Sequence, residues 1–540
     1  MLKGAAATTE VKRLLEGEPP VLTLLVYEAD WRVGSPRIFA CGSAVGACLI
    51  APDPDTLRDV LTLAPLVAST RAVDTINQLR KKGVSTQHRW IDVETTEKLI
   101  LAGRDFKDPS SAIEGRGLAP LANPRDGLQA LTHNVQTIAQ WVKVVTPLIK
   151  QLNLVEASRV ETATTTAIAD LEWHGLPFAR ERWDAMLGRH RELRNDALQQ
   201  LNGEGLGLSE ELLNDPMKFQ TALRDGGLQV ANTQRDTLKN LPPPLGPAFN
   251  QLLASQQTLR AYGGNFLSYD LGDGRLRSRF EQIGASTGRL SSHSPNLQSI
   301  SAEDEARHAF RSPEGNVLVV ADYAGCELRI LAELSGDETF QDAFRRGEDL
   351  HAAVASKIWK KEVSKKTNPQ LREQAKAISF GLMYGMGPQG LARRLQLTKP
   401  QAQALMNDYF NQFPKVRGFL EAQSRRALRE GYASSVSGRT LNVDPNDSKS
   451  SRIARNMPIQ GSSADITKLA LSKIRAGILQ AGLDAHLAHT VHDEILVEGK
   501  QADAPQLSEL VRRSMESAGA QWITSVPMKA DVSVGDVWAK

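Results

Sequence analysis

Between residues 21 and 50 short apolar runs, VLTLLVY, RIFACG and ACLIAP, are separated by polar breaks, a pattern that predicts β-strands. Mixed helix and strand patterns continue to about residue 150, so this stretch reads as an α/β domain of its own. From about 155 long helical periodicities take over. Arg180–Asn202 carries an apolar stripe among charges of both signs and stops at the Gly-rich GEGLGL. The proline run LPPPLGP predicts a joint before the C-terminal part. There, Val317–Ala321 is a continuous apolar strand ending at Asp322, and Glu327 opens a helical pattern, ELRILAEL. HLAHTVHDEILVEGK sets β-forming runs on both sides of His492, Asp493 and Glu494, which predicts a hairpin with the acids at its bend. LREQAKAISFGLMYGMGPQGLARRL predicts a helix on which Arg372, Lys376, Phe380 and Tyr384 recur every fourth residue. They form one stripe roughly 18 Å long, with Pro388 at the expected helix end.

A chain of 540 residues is too long for one core and predicts three or four domains or subdomains. Its 41% apolar and 24% charged content is that of a soluble globular protein. A net charge of +3 neither demands nor excludes a polyanionic partner, which responds to a local groove rather than to the total. Cys41, Cys48 and Cys326 make no disulfide framework and no CxxC pair, which points to a reducing, intracellular setting, cytoplasmic with an organellar one left open. The N-terminus lacks a signal-peptide core, and no apolar run approaches the roughly 20 residues of a membrane helix.

An aspartate between a strand and a helix is more often a cap than a ligand, and acidic hairpin tips are usually solvated. Asp493 and Glu494, however, lie among strong β-formers rather than in a Gly/Asn turn. If these acids meet Asp322, they are a donor set for two Mg²⁺ ions about 3.5–4 Å apart. The stripe is harder to explain blandly. Arg and Lys alone suit a solvated face and Phe and Tyr alone suit a core, whereas a nucleoside triphosphate wants both. Gly381, Gly385 and Gly387 permit close approach beside it.

With these segments assembled, the chain resembles the family A, or DNA polymerase I-type, DNA polymerases. Asp322-Tyr323 through Glu327-Leu328-Arg329 resembles motif A, the Arg372/Lys376/Phe380/Tyr384-Gly385 helix motif B, and His492-Asp493-Glu494 motif C. STGRLSSHSPNLQSI resembles the stretch that touches primer–template, Asp349-Leu350-His351 the fingers histidine, RIARNMPIQGSSADITKLA a palm segment, and VPMKADVSVGDVWAK the closing palm strand. Motif A usually reads Ser-Gln-Ile where this chain has Ala324-Gly325-Cys326.

The resemblance covers about 155–540. It implies an α+β right-hand polymerase preceded by an α/β, RNase H-like 3′–5′ exonuclease-type domain, degenerate, at 1–150. The thumb is expected at 151–245, the first part of the palm at 246–340, the fingers at 341–435 and the second part of the palm at 436–540. DLEWHGLPF resembles the entry to the thumb and LNDPMKFQTAL its tip. No 5′-nuclease domain fits ahead of these, as in phage, organelle or Klenow-type forms.

The implied activity is template-directed addition of dNTPs to a primer 3′-OH, by a single chain, on primer–template DNA, with two Mg²⁺ ions that Mn²⁺ can replace. Asp322, Asp493, Glu494 and Lys376 are the implied catalytic residues, and Asp322, Tyr323 and Asp493 the metal ligands. Tyr323, Glu327, His351, Arg372, Lys376, Phe380 and Tyr384 are implied to meet the dNTP. Arg289, Asn296, Gln298, Arg452, Asn456, Gln460 and His492 are implied to meet DNA. Glu327 and Phe380 argue against a single-subunit RNA polymerase, because a carboxylate at the sugar C2′ repels a 2′-OH. In the exonuclease-type domain the implied acids are Glu28 and Asp30 (in reverse order), Asp74, and Asp92 in a structural role. His133 and Thr137 stand where a tyrosine and an aspartate are expected, so proofreading is expected to be absent.

Overall fold

The computed structural model describes residues 1–16, 21–26, 32, 36–123, 126–302 and 305–538; the Glu28 and Asp30 expectation lies outside them. It contains two compact units, Met1–His174 with Arg279–His293 and Val319–Val534, and Gly175–Ser278 with Ser294–Leu318 and Gly535–Lys540.

The first unit begins with helix α1 (Gly4–Leu15), then strands β1 (Val21–Val26), β2 (Phe39–Gly42), β3 (Ala47–Ile50) and β4 (Leu66–Ser69), helix α2 (Ala72–Lys81) and strand β5 (Arg89–Asp92). Helices α3 (Val93–Leu101), α4 (Leu128–Gln151) and α5 (Val155–His174) follow. The sheet order is β3-β2-β1-β4-β5, antiparallel from β1 to β3 and parallel from β1 through β4 to β5. Both faces of β1 are covered: Leu22 and Leu24 share a core with α1 and α2, and Leu25 one with α4. That double burial is why β1, Thr23 apart, is apolar on both faces rather than alternating. Asp92 ends β5 by accepting the Ala72 N–H at 2.8 Å and the Thr95 N–H at 2.9 Å, so one carboxylate caps the first turns of α2 and α3.

The later part of this unit supplies strand β6 (Asn316–Tyr323), helices α6 (Cys326–Ser335), α7 (Leu350–Trp359), α8 (Pro369–Met383), α9 (Pro388–Leu395) and α10 (Ser450–Ala481), and strands β7 (Ala485–Val491), β8 (Glu494–Lys500) and β9 (Ala530–Gly535). They form the sheet β7-β8-β6-β9. The helix expected to end near Pro388 stops at Met383, and Pro388 is instead the first residue of α9. Proline is favoured there because its missing N–H has no intrahelical partner to lose.

Helices α5 and α10 are locked by a fully buried charge cluster. Glu161 of α5 takes the Lys468 ammonium at 2.5 Å, the Arg439 guanidinium, and the Gln282 amide at 2.6 Å. Arg439 Nε donates to Asp465 at 2.9 Å, and the Ser435 and Ser437 hydroxyls donate to the same carboxylate at 2.5 and 2.6 Å. Two cations balance two anions, and the surrounding donors satisfy the remaining lone pairs, which is the condition under which buried charge is tolerated.

In the second unit, helices Arg180–Gly203 and Leu245–Tyr262 pack together. Its aromatic core stacks Trp183 on Phe266, ring centroids 4.6 Å apart, with Phe178, Phe310 and Trp538 alongside.

Candidate active site

The sheet brings the two acidic segments together. β6 lies between β8 and β9, and Asp322, near the C-terminal end of β6, is close enough to Asp493 for its charge to act on that carboxyl. Val491 pairs with Glu494, which leaves His492-Asp493 as a two-residue turn. His492 holds the turn in the left-handed region, with φ +54°, as such tight hairpins require. Burial, and next the negative charge of Asp322, push the Asp493 carboxyl up to about 7. Glu494 is 4% exposed.

Motif A turns sharply after β6. Gly325 has φ +71° and caps α6. Arg329 Nε ties the turn down through the Ala324 carbonyl at 2.7 Å. Tyr323 points its side chain into the core, where its hydroxyl donates to the Met515 carbonyl at 2.7 Å. Only its main chain is left to face a ligand. Cys326 is buried, and burial followed by the charge of Asp493 raises its thiol pKa.

Glu327 is the junction of the site. One carboxylate oxygen accepts the Arg289 guanidinium and the other accepts the Tyr384 hydroxyl. Motif A is thereby tied to the end of α8 and to the turn between the short strands Arg279–Glu281 and Ser291–His293. Burial, then the nearby Glu327 carboxylate, raise the Tyr384 hydroxyl pKa, which keeps it a donor.

Along α8, Arg372, Lys376 and Phe380 do share a face, and the Phe380 ring stacks toward Tyr384 with centroids 6.3 Å apart. Arg372 Nε donates to Asp349 at 2.7 Å, while Asp349 also caps α7 through the Ala352 N–H at 3.1 Å. Lys376 is exposed. His351 lies 5.8 Å from the Phe380 ring. Burial lowers its pKa to about 4, so it is neutral, and its Nδ1 is buried with no partner among the described residues.

Arg452, Asn456 and Gln460 recur every four residues along one stripe of α10. Arg452 packs on Gly385, where φ is +73° and a Cβ would stand 2.9 Å from the Arg452 side chain. The glycine is needed twice over, for its backbone angle and for this approach. Asn456 Oδ1 is a buried acceptor without a partner among the described residues. Asn296 and Gln298 belong to the second unit, flanking and within the short turn Leu297–Ser299. Two groups escaped the sequence reading. Asp349, which neutralises Arg372, stands in the sequence only as the residue two before His351, with no role of its own. Arg455, whose Nε is also buried without a partner, stands one residue before Asn456.

Among the described residues no three His, Cys, Asp or Glu side chains converge as a metal cage. The protein side chains on offer are Asp322 and Asp493, whose mutual repulsion a divalent cation relieves. Mg²⁺ characteristically uses one or two carboxylates plus substrate phosphates and water, so this sparse donor set fits it.

The family model for DNA polymerase family A matches residues 206–540. The chain belongs to DNA polymerase family A. It is 37% identical over 350 residues to DNA polymerase I of Mycobacterium tuberculosis, a match covering 60% of this chain and 38% of that protein. It is 37% identical over 277 residues to the thermostable DNA polymerase I of Thermus aquaticus, covering 49% and 32%. The matched stretches therefore span about a third of the length of these relatives. In fold, the chain is similar to the POL domain of Pol1 from M. smegmatis, solved in complex with DNA primer-template and dNTP. That likeness has a TM-score of 0.86 at 27% identity and covers 99% of this chain and 98% of the other. That likeness also takes in the described part of residues 1–205, which the family model does not reach.

Asp74 of α2, Asp92 of β5 and Glu172 of α5 have structural partners. Asp74 is 3% exposed and pairs with Arg71 at 3.0 Å and with Arg279. Glu172 accepts the Phe280 N–H at 2.8 Å and faces Arg279 at 3.4 Å. Burial raises Glu172 to about 7 and Asp92 to about 6. Thr137 is buried, and His133 Nε2 lies 3.1 Å from the Pro120 carbonyl oxygen.

Proposed function

We propose that this chain is a template-directed DNA polymerase that adds dNTPs to a primer 3′-OH and releases pyrophosphate. The convergence of Asp322, Asp493 and the Arg289–Glu327–Tyr384 junction carries this reading, since it gathers motifs A, B and C around one space. Asp322 and Asp493, with the Tyr323 main-chain carbonyl, would hold two Mg²⁺ ions, or Mn²⁺ in their place. When bound, these ions lower the pKa of an attacking hydroxyl and neutralise charge on the leaving group. Lys376 and Arg372 meet the triphosphate, Arg372 by exchanging Asp349 and Glu373 for phosphate oxygens. His351, neutral and with an open Nδ1, offers it one further hydrogen bond. Phe380 lies against sugar and base, and Glu327 crowds the C2′ position against a ribose hydroxyl. Arg289, Arg452, Asn456, Gln460 and His492, with Asn296 and Gln298 of the second unit, are assigned to primer and template. At the minor groove, similar acceptors on every base pair allow geometry to be checked without sequence being read. The second unit's long helices are assigned to the thumb.

We further propose that residues 1–150 are an exonuclease-type fold without proofreading activity. Asp74 is committed to two arginines, and His133 and Thr137 supply no carboxylate.

Primer extension tests the main reading. Asp322→Asn or Asp493→Asn is expected to abolish nucleotide addition while leaving primer–template affinity within about twofold. A variant keeping more than about a hundredth of the rate would sink the assignment, because metal sites of this type contribute several kcal/mol to transition-state stabilisation.

A further inference from the structure

Two thiols that play no part in the polymerase site face each other across the β2–β3 hairpin. Cys41 and Cys48 are directly opposed register partners, and their sulfurs are 3.8 Å apart. Cys41 is buried in the core beneath α1, while Cys48 on the edge strand is partly exposed. Opposed residues of an antiparallel pair have Cα atoms about 4.5–5.5 Å apart, inside the range of about 4.4–6.8 Å that a disulfide accepts. The backbone is therefore already placed. Side-chain rotation has only to close the sulfurs by roughly 1.8 Å to reach a bond of about 2 Å.

We propose that Cys41 and Cys48 are an oxidisable dithiol site that hydroperoxides convert to a disulfide. Cys48 is the attacking sulfur. It is the accessible one, and the Cys41 thiol and the nearby Arg13 hold its pKa below the ordinary thiol value, against opposition from burial and Glu10. Its thiolate attacks the terminal oxygen of the peroxide O–O bond, forming a sulfenic acid and releasing alkoxide (hydroxide when the oxidant is hydrogen peroxide), which takes up the proton Cys48 lost. Cys41, whose pKa its bond to Cys48 and its burial hold high, then attacks the sulfenic sulfur. The S–S bond forms, and hydroxide leaves with the Cys41 proton as water. Two thiols and one hydroperoxide give a disulfide, one water and the reduced alcohol, or a second water when the oxidant is hydrogen peroxide. Low-molecular-weight dithiols reverse the reaction by exchange.

The bond would pin the platform on which the N-terminal helix rests. The Leu2 N–H donates to the Leu49 carbonyl at 2.9 Å, the Ala51 N–H donates to the Leu2 carbonyl at 3.0 Å, and Leu14 of α1 packs against Gly46 in the hairpin turn. Cys326 is the internal control: it is buried at the start of α6, with its thiol pKa raised, and is expected to stay reduced.

The test treats the full chain with hydrogen peroxide, then measures intact mass and thiols titratable after denaturation, in wild type, Cys41→Ser and Cys48→Ser. Wild type is expected to lose about 2 Da and to fall from three thiols to about one, reversibly with dithiothreitol. Cys41→Ser should trap a dimedone-reactive sulfenic acid on Cys48. Cys48→Ser should keep both of its thiols, losing them at least about tenfold more slowly. Three thiols persisting in wild type, oxygen added in place of hydrogen lost, or a mass loss surviving in Cys48→Ser would each overturn the proposal.

Discussion

Glu172→Gln is expected to make the protein more stable at alkaline pH and to remove a pH dependence that wild type carries. The side chain is fully buried on α5, and burial has raised its carboxyl from the ordinary 4.5 to about 7. Each tenfold change in proton affinity is worth about 1.4 kcal/mol, so ionising Glu172 in the folded state costs about 3 kcal/mol. The sign follows from linkage: a raised folded pKa gives stability that is fully present below pH 4.5 and lost as pH rises through about 7. Glutamine cannot ionise, and it keeps an acceptor for the Phe280 N–H. Arg279 retains Asp74 as its partner, so the substitution leaves no buried cation alone. For a chain of this size about 3 kcal/mol corresponds to about 3 °C in melting temperature. The assay is thermal unfolding of both proteins from pH 5 to pH 9. The difference between them should be near its minimum at pH 5, open by about 3 °C between pH 5 and 8, and stay constant above. Asp92, also raised, titrates equally in both proteins and cancels. Parallel curves across this range, or a variant that loses ground as pH rises, would refute the argument.

Glu327→Ala should raise ribonucleotide incorporation by about ten- to a hundredfold, since a hydroxyl left facing a closed carboxylate site costs about 1–3 kcal/mol; unchanged NTP/dNTP discrimination in primer extension would remove the gate role. Phe380→Tyr should increase dideoxynucleotide incorporation in the same assay, by supplying a hydroxyl near the missing 3′-OH. Asp74→Ala should lower stability by about 3 kcal/mol, the low end for breaking a buried pair because Glu172 remains beside Arg279. It should leave a negligible rate of primer shortening unchanged in Mg²⁺ without dNTPs; shortening present in Asp322→Asn and lost in Asp74→Ala would show a live exonuclease. Lys468→Met should cost about 3–5 kcal/mol by leaving the cluster with one anion in excess, and a melting temperature within 1 °C of wild type would show the cluster to be inert.

The local patterns were legible because they depend on periods of two and of 3.6. The apolar run before Asp322, the β-forming runs around His492-Asp493, and the four-residue spacing of Arg372, Lys376 and Phe380 all survive in the structure. What the chain could not announce is convergence. Arg289, Glu327 and Tyr384 are separate polar letters until the sheet and α8 bring them to one carboxylate. Arg279 reaches Asp74 across 205 positions, a pairing that no local period encodes. Glu161, Arg439, Asp465 and Lys468 look like ordinary surface charges in the sequence, and their burial follows only from the meeting of α5, the Ser435–Arg439 turn and α10. Pro388 was misleading for a definite reason: proline is as much at home at the start of one helix as after the end of another.

The charge cluster also sets where this chain can be cut. The family model's match begins at residue 206, and a designer seeking a minimal version would be drawn to start there. Such a fragment would lack α5 and with it Glu161, stranding Lys468 and Arg439 inside the molecule with Asp465 as their one remaining counter-charge. It would also expose the face of β7 that α5 covers. The smallest autonomous version of the β7-β8-β6-β9 sheet must therefore retain a helix that the family signature does not include, or replace its glutamate and both buried cations together with apolar side chains of matching volume.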